Sequence, residues 1–302
     1  RADEFFCGYV PYSWSKKYGT IMPLNRREVL CYNVQLGAFS ELEILSDMIK
    51  KYKKPVHLTF NSLYYLPEQY LEIADIIRQC MSLGFRSYII ADPALLVYLR
   101  ENNVDCEIHL SGETGEVNSQ MANFFAEFGL KRLIFHRKNT FQDMASVTEK
   151  CKKISEFEAF ILNEQCQFTG AFCNSLHCDE MGYLCRVPYQ IGTISREEAE
   201  NATENLIAEV TETEKNYDDT GYLCGETGCG LCALYQLQKA GITHLKLVGR
   251  GNYVDYMEKD IRNLRKALDI LENAENEADF IHEMKKNIFS GGCSGNCYYY
   301  EK

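Results

Sequence analysis

The segment Phe128-Gly-Leu-Lys-Arg-Leu-Ile-Phe135 shows how this chain builds its fold. Before it, residues 117–128 place four apolar side chains on one face at helical spacing, namely Val117, Met121, Phe124 and Phe128. At its end, Leu133-Ile134-Phe135 is an apolar run typical of a buried strand. Gly129 stands between the two, where the left-handed conformation that ends a helix costs least without a side chain. The segment therefore predicts a helix, a glycine C-cap and a strand in close succession.

The same junction occurs twice more, at Leu83-Gly84-Phe85 and at Ala240-Gly241-Ile242. Repeated helix–glycine–strand junctions indicate parallel strands joined by crossover helices. About seven short strands favour an α/β fold of the (β/α) TIM-like barrel type over an open doubly wound sheet. No Gly-x-Gly-x-x-Gly turn follows the early strands, which weakens a dinucleotide-binding alternative. The predicted strands cover residues 5–10, 56–60, 88–91, 107–111, 133–135, 158–162 and 244–248, and residues 12–27 are predicted to form a polar, aromatic loop.

Composition and charge limit the class of protein. The 302 residues, of which 46% are hydrophobic, can bury a sizeable core in one large domain or two small ones. No run approaches the ~18 apolar residues of a membrane span, and the start of the sequence is not a signal peptide. A net charge of −11 argues against broad binding to phosphate backbones, although it leaves room for a small RNA site. We expect a soluble, cytoplasmic protein.

Four cysteines fall within twenty residues, directly after the apolar run Phe160-Ile161-Leu162; they are Cys166, Cys173, Cys178 and Cys185. Thiols this dense in a chain without an export signal are more often metal ligands than disulfides. Four thiolates are the usual ligands of a 4Fe-4S cluster, whereas structural zinc sites favour paired short spacings. We therefore predict an iron–sulfur protein, with zinc or unligated thiols as alternatives.

A second group combines Cys229-x2-Cys232 with Cys293-x3-Cys297. Its glycine-rich surroundings would let backbone amides approach cluster sulfurs and donate hydrogen bonds to them. We predict a second iron–sulfur cluster here, with free thiols in a turn and a flexible tail, or zinc, as the alternatives. The remaining cysteines are predicted to be core or surface thiols; they are Cys7, Cys31, Cys80, Cys106 and Cys151.

Polar residues just past the strand ends are the candidate catalytic groups, because the carboxyl ends of barrel strands face a shared mouth. We assign catalysis to Glu113, His136, Arg137 and Glu164, and substrate binding to Asn61, Asp92, Ser111 and Arg250. Asp92, before Pro93, also fits a helix cap, and Arg250 also fits a simple ion pair. His57 and His109 alternate with apolar residues inside strands, which is typical of core histidines, and His177 is not expected to bind metal.

Most of the chain resembles peptidase family U32. The similar segments are Val56-His-Leu-Thr-Phe-Asn61, Ala91-Asp-Pro-Ala-Leu-Leu96, Ile108-His-Leu-Ser111 with Asn118-Ser119, Phe128-Gly-Leu-Lys-Arg-Leu133, and Leu245-Lys-Leu-Val-Gly-Arg250 before Tyr253-Val254. The most specific feature is the cysteine pattern, which implies a first 4Fe-4S cluster on Cys166, Cys173, Cys185 and Cys224. The spacing before Cys185 is shorter than in the family, so Cys178 is an alternative ligand.

The resemblance also implies a function, since the better-studied members of this family look like iron–sulfur proteins rather than proteases. It implies oxygen-independent hydroxylation or a related redox modification, on nucleobases in RNA or on a quinone precursor, with prephenate as an oxygen donor in some members. For this acidic chain we expect a small molecule or peptide in preference to bulk RNA. The alternatives are a non-catalytic or electron-transfer subunit that pairs with a related protein, and a peptidase, for which the chain has neither a His-Glu-x-x-His nor a Gly-x-Ser-x-Gly motif.

The resemblance further implies a barrel whose first strand and helix have no counterpart in this sequence, so we expect a trimmed chain or a partner that completes the barrel. We divide one structural domain into three parts. Residues 1–165 form the N-terminal part of the barrel, and residues 166–235 form a cysteine-rich, cluster-binding insertion. Residues 236–302 form the last barrel strand, the C-terminal helices and a cysteine-containing tail.

Overall fold

The computed structural model describes residues 1–19, 23–25, 35–115, 118–166, 217–249 and 252–299. Most of the predicted cysteine-rich insertion lies outside these ranges. The individual residues singled out above that also lie outside them are Cys31, Val117, Cys173, His177, Cys178, Cys185 and Arg250.

Strands and helices alternate along the described chain. The strands are β1 (Phe5–Tyr9), β2 (Gln35–Leu36), β3 (Val56–Phe60), β4 (Ser87–Ile90), β5 (Glu107–Leu110), β6 (Leu130–Ile134), β7 (Glu156–Leu162) and β8 (His244–Leu247). The helices are α1 (Tyr12–Tyr18), α2 (Phe39–Tyr52), α3 (Gln69–Ser82), α4 (Pro93–Glu101), α5 (Ser119–Ala126), α6 (Phe141–Lys150), α7 (Leu234–Lys239), α8 (Val254–Asn273) and α9 (Glu277–Asn287). Within these ranges, no helix is both long enough and apolar enough to cross a membrane.

All eight strands form one parallel sheet in the order β2-β1-β3-β4-β5-β6-β7-β8. The prediction of about seven strands missed β2, which is two residues long and pairs only with the end of β1. The α/β class and the parallel arrangement are confirmed, because a parallel pair needs a crossover connection between its strands.

The three junction glycines take the predicted conformation. Their φ angles are +98° at Gly84, +69° at Gly129 and +80° at Gly241. Each angle lies in the region that side chains other than glycine's rarely enter. These glycines end a helix and turn the chain directly into the next strand, as the sequence predicted.

The loop predicted for residues 12–27 is wrong in its first part, because Tyr12–Tyr18 is a helix. Trp14 is its one buried residue, and the Trp14 ring lies 4.5 Å from that of Tyr18. A seven-residue helix with a single buried side chain has too short an apolar stripe to show helical periodicity. Tertiary packing of Trp14, rather than the local sequence pattern, stabilises this helix.

The sheet curls so that its first and last long strands face each other across its inner side. Lys246 of β8 lies over the ring of Phe6 in β1, with its Nζ 4.1 Å from the ring centroid. A small apolar layer fills the same inner side, and its members are Ile89, Ile134, Phe160, Val248 and Tyr298, with Phe6 packed against them. The helices pack on the outer face, where the main core forms. The curl therefore creates an interior with one end at the amino ends of the strands and the other at their carboxyl ends.

Candidate functional site

The amino ends of the strands hold a buried group of charges, here called the charged network, which consists of Glu4, Arg132, Glu156, Glu158 and Lys246. Arg132 Nη2 donates to Glu4 at 3.0 Å, its Nε donates to Glu156 at 2.9 Å and its Nη1 donates to Glu158 at 2.7 Å. Lys246 donates to the other oxygen of Glu158 at 2.9 Å. Every charge in the network therefore has an opposite charge in contact.

Pairing keeps the carboxylates of the charged network ionised. Burial by itself would raise the pKa of Glu158, but Lys246 and Arg132 hold that pKa below its usual value. The pKa values of Glu4 and Glu156 are lowered in the same way. Burial opposes the charged form, whereas hydrogen bonds from His57 and then Arg132 favour it in Glu4, and those from Lys131 and then Arg132 favour it in Glu156. Each charged side chain of the network is thus paired within the fold, without any ligand.

His57 and His109 lie beside the charged network, with their ring centroids 4.6 Å apart. His57 Nδ1 hydrogen-bonds the Ser87 hydroxyl, and its Nε2 lies 3.1 Å from Glu4, so the prediction of a core histidine is confirmed. Burial, and then the nearby His57, lower the pKa of His109 to about 2. His109 is therefore a neutral imidazole in the core, and its Nδ1 has no hydrogen-bond partner among the described residues.

A cavity of about 600 Å³ opens between the amino end of β1, strand β8 and helix α8. Members of the charged network line it, and the apolar stripe of α8 that includes Ile261 and Leu264 forms another wall. None of the predicted catalytic or substrate-binding residues that the structure describes lies on its wall. The cavity is therefore separate from the strand ends where the sequence placed the chemistry.

The carboxyl ends of the strands carry the predicted site residues in differing surroundings. His136 and Arg137 are buried, whereas Asn61, Glu113 and Glu164 are partly exposed. Asp92 accepts from Ala94 N at 2.8 Å and from the Tyr70 hydroxyl at 2.9 Å, which confirms its interpretation as a helix cap. Ser111 likewise caps the short 3₁₀ helix Gly112–Thr114. Two of the predicted substrate-binding residues thus have structural partners already.

Arg137, Tyr298 and Glu164, together with His136, form what we call the strand-end site. The guanidinium carbon of Arg137 lies 3.7 Å from the ring centroid of Phe160, in cation–π geometry. Arg137 Nε and the Tyr298 hydroxyl are both buried; the two side chains interact with each other, and neither atom has a well-formed hydrogen bond to any other described residue. Burial raises the pKa of Tyr298 despite the opposing effect of Arg137, so Tyr298 stays a neutral phenol. Such unmatched buried donors suit a polar substrate group.

The chain leaves β7 through two consecutive residues in the left-handed region, with φ of +68° at Asn163 and +54° at Glu164. Asn163 holds this turn, because its Nδ2 donates to Asp260 at 2.7 Å and to Val248 O at 3.0 Å. Non-glycine residues in this conformation are strained, and such strain concentrates at functional sites. The turn therefore fixes the position of the Glu164 backbone, from which its side chain extends.

Sequence reasoning missed Asn163 and Tyr298. Asn163 directly follows an apolar strand, the same signal that identified His136 and Arg137, and could have been found in that way. Tyr298 gave no such signal, because it lies in the tail, far in sequence from every strand end that it meets in space.

Only two ligands of the first predicted cluster, Cys166 and Cys224, fall within the described residues. Burial raises the pKa of Cys224 to about 11, although hydrogen bonds with Tyr222 and Asn263 act in the opposite direction. Gln165 N donates to Thr227 O at 2.6 Å, which brings the chain just before Cys166 beside the loop that starts at Cys224. The first cluster itself stays a prediction.

All four cysteines of the second predicted group line one cavity of about 190 Å³, here called the thiol cavity; they are Cys229, Cys232, Cys293 and Cys297. Burial, and then the neighbouring Cys297 and Cys293, raise the pKa of Cys232 to about 11. Within the described residues, no three or more His, Cys, Asp or Glu side chains are arranged to hold a metal ion. The tertiary structure has nonetheless gathered two distant cysteine pairs around one space.

Comparisons with known proteins bear on this site. The family description "Peptidase family U32" matches residues 2–302. A protein of Haemophilus influenzae named tRNA hydroxylation protein P is 31% identical over 85 residues, which are 28% of this chain and 18% of the relative. A protein of the same name in Escherichia coli is 25% identical over 97 residues, or 32% of this chain and 21% of the relative. These matches thus span about a fifth of each relative. Among solved structures, the U32 peptidase Mk0906 aligns with a TM-score of 0.38 and 13% identity over 53% of this chain and 69% of that chain.

Proposed function

Because the chain belongs to peptidase family U32, we propose that it catalyses an oxygen-independent hydroxylation or a related redox modification of a substrate held at the strand-end site. The two relatives whose names refer to tRNA hydroxylation support the type of reaction. The parallel sheet supports the location, because residues at the carboxyl ends of parallel strands share one edge of the sheet.

The observation that carries this proposal is the unmatched polarity of the strand-end site. Arg137 is 8% exposed and Tyr298 is 6% exposed, so water has little access to them. Both groups are hydrogen-bond donors, and apart from each other they have no partner among the described residues. Buried donors in this state cost free energy unless a ligand accepts their hydrogen bonds. A carboxylate, a phosphate or a nucleobase carbonyl would accept from both. Glu164, at the edge of the same site, is placed to accept a proton.

We also propose that a 4Fe-4S cluster bound to Cys166, Cys173, Cys185 and Cys224 stands beside this site. The backbone hydrogen bond from Gln165 to Thr227 supports this, since it places the Cys166 segment against the Cys224 loop. Four thiolates from separate segments are a usual ligand set for such a cluster. When bound, the cluster would supply electron transfer. Cys178 is the alternative to Cys185 as the third ligand.

The curled sheet favours a TIM-like barrel as the full architecture. Two contacts join strands that are not neighbours in the sheet and so cross the interior. One joins Phe6 and Lys246, and the other joins Arg132 and Glu4, which precedes β1. Closure between β1 and β8 would put the strand-end site at the mouth of a barrel.

A tRNA nucleobase is the substrate that the names of the two relatives favour, and this raises RNA above the rank that net charge alone gave it. The charge of −11 excludes only broad electrostatic binding, not a site that takes one base. A small anionic molecule is the second candidate, favoured by the buried Arg137.

The test begins with anaerobically purified protein incubated with tRNA or with pools of small carboxylic acids. Mass spectrometry then seeks the gain of one oxygen atom in a nucleoside or in a small acid. Arg137→Met should abolish the product while the protein stays folded, and Arg262→Met is the matched control at an exposed arginine. Cys166→Ser should lose the iron of this cluster and the product together, and Cys106→Ser should lose neither. Peptide cleavage by iron-free protein, without any oxygenated product, would contradict the proposal.

A further inference from the structure

The thiol cavity is a second cysteine site, and it needs no assumption about the first. It lies on the outer side of the sheet, at the ends of α6, α7 and α9, and Phe141, Phe289 and Tyr299 form its aromatic walls. Cys229 is buried, whereas Cys232 and Cys293 reach the surface. Cys224, assigned to the first cluster, does not line it. From this convergence we propose that Cys229, Cys232, Cys293 and Cys297 bind a second 4Fe-4S cluster.

Backbone hydrogen bonds fix the two cysteine pairs against each other. Cys229 N donates to Asn296 O at 2.7 Å, and Tyr298 N donates back to Cys229 O at 2.8 Å. Gln165 Nε2 donates to Cys297 O at 3.0 Å, and Ser294 Oγ donates to Gly225 O at 2.7 Å. The cysteine-containing tail is therefore part of the fold at this point, which argues against the alternative of free thiols in a flexible tail.

Glycines allow this close approach. A Cβ on Gly225 would lie 2.4 Å from Cys229 Cβ, and one on Gly228 would lie 2.5 Å from the Tyr298 ring. Both glycines also have positive φ, as does Gly295 between Cys293 and Cys297. Side chains at Gly225 or Gly228 would push the loop away from the tail, because those distances are well inside van der Waals contact. The cysteine pairs can therefore lie this close together only because these loop positions are glycines.

The geometry favours a cluster over a single ion. A tetrahedral zinc with Zn–S bonds of ~2.3 Å holds its four sulfurs about 3.8 Å apart, and no such group occurs among the described residues. The cavity of about 190 Å³ is also much larger than the ~30 Å³ that one water occupies in the liquid. In a 4Fe-4S cluster each thiolate binds a different iron, so its ligands stand farther apart around a larger space.

Iron and sulfide analysis of the full chain, purified or reconstituted without oxygen, tests this proposal. We expect about eight iron and eight sulfide per chain, falling to about four of each in the double variant Cys229→Ala/Cys297→Ala. The control Cys106→Ala removes a buried thiol that belongs to neither group, so it should keep about eight iron and eight sulfide. About four iron in the parent protein, unchanged in the double variant, or zinc in place of iron, would overturn the second cluster.

Alkylation gives a readout that does not depend on variants that fold poorly. Cys232 and Cys293 reach the surface, so iodoacetamide should modify them at least tenfold faster in chelator-treated protein than in the loaded protein. Equal rates in both would contradict the proposal. Failure of the proposed function gives a different result. If the first cluster is absent and the second is present, the iron is lost in Cys229→Ala/Cys297→Ala and retained in Cys166→Ser.

Discussion

Arg132 and Arg137 lie five positions apart, in β6 and just past its end, and both are buried, yet their surroundings are opposite. Arg132 contacts three carboxylates, those of Glu4, Glu156 and Glu158. Arg137 lies on the face of Phe160 and has no carboxylate partner among the described residues. A buried charge that the fold already neutralises serves the fold, whereas one left for a ligand serves binding. On the proposed function, polar groups at the amino end of this strand therefore stabilise the fold, and those past its carboxyl end bind the substrate.

Replacing each arginine in turn tests the difference between their surroundings most directly. Arg132→Met leaves the buried Glu158 and the half-buried Glu4 and Glu156 without their common partner, so we expect a loss of about 3–5 kcal/mol in the free energy of unfolding. Arg137→Met should lose only about 0.5–2 kcal/mol, from its contact with Phe160, together with activity. Urea unfolding of both proteins measures the difference. Arg262→Met, which breaks only an exposed pair with Glu258, should change stability by less than about 1 kcal/mol.

If the two variants lost equal stability, the distinction between a structural and a binding arginine would fail. Loss of activity in Arg132→Met with unchanged stability would reverse the assignment of the two ends.

The pH dependence of stability tests the amino end separately. The fold keeps His109 neutral, with a pKa of about 2, whereas the unfolded chain takes up a proton below pH ~6.5. Stability is therefore fully present above pH ~6.5 and should fall by about 1.4 kcal/mol per pH unit as pH decreases through the window below it. Below pH ~4.5 the fall should steepen, because the lowered pKa of Glu158 makes its stabilisation disappear on acidification.

His109→Gln should remove the part of this loss above pH ~4.5 that belongs to His109, leaving the smaller share of His244, whose pKa burial also lowers. His282→Gln is the matched control, since that side chain is 74% exposed. Denaturant titrations at half-unit pH steps compare the three proteins. An unchanged slope in His109→Gln would show that His109 titrates normally in the fold.

Asp92 tests whether a predicted binding residue belongs to the structural or the functional side. Asp92→Ala removes the cap of α4, and we expect it to lose about 1 kcal/mol of stability. Asp92→Asn keeps an acceptor for Ala94 N, so it should restore most of that loss. Thermal unfolding and product formation, measured on both variants, separate the two roles. Full stability with no product in Asp92→Asn would assign the carboxylate to the substrate.

The smallest expected effect concerns the strained turn after β7. Glu164→Gly relieves a left-handed non-glycine residue, so we expect stability to change by less than about 1 kcal/mol, in the stabilising direction. Product formation should nevertheless fall, because the carboxylate is gone. Glu164→Gln, which keeps the strain and removes the charge, is the control for activity. Unchanged product in both variants would exclude Glu164 from the chemistry.

The predictable features are those whose signals are local. The junction glycines, the seven longer strands and the cap at Asp92 all follow from patterns a few residues long, and each is confirmed. Helix α1 and strand β2 were missed, since the first depends on one buried tryptophan and the second on two residues. The partners of a side chain across the interior, such as Glu4 for Arg132, involve separations that no local pattern records.

Local sequence patterns establish that this is a parallel α/β protein and predict a site at its strand ends and two groups of cysteine ligands, because strand exits, glycine caps and thiol density are properties of neighbouring residues. The tertiary structure alone shows that Arg132 is paired with carboxylates and that Arg137 lies against Phe160. It also brought Tyr298 from the tail to Arg137 and closed two distant cysteine pairs around the thiol cavity. The physical reason is that pairing and burial depend on the curl of the sheet, which sums small twists over eight strands.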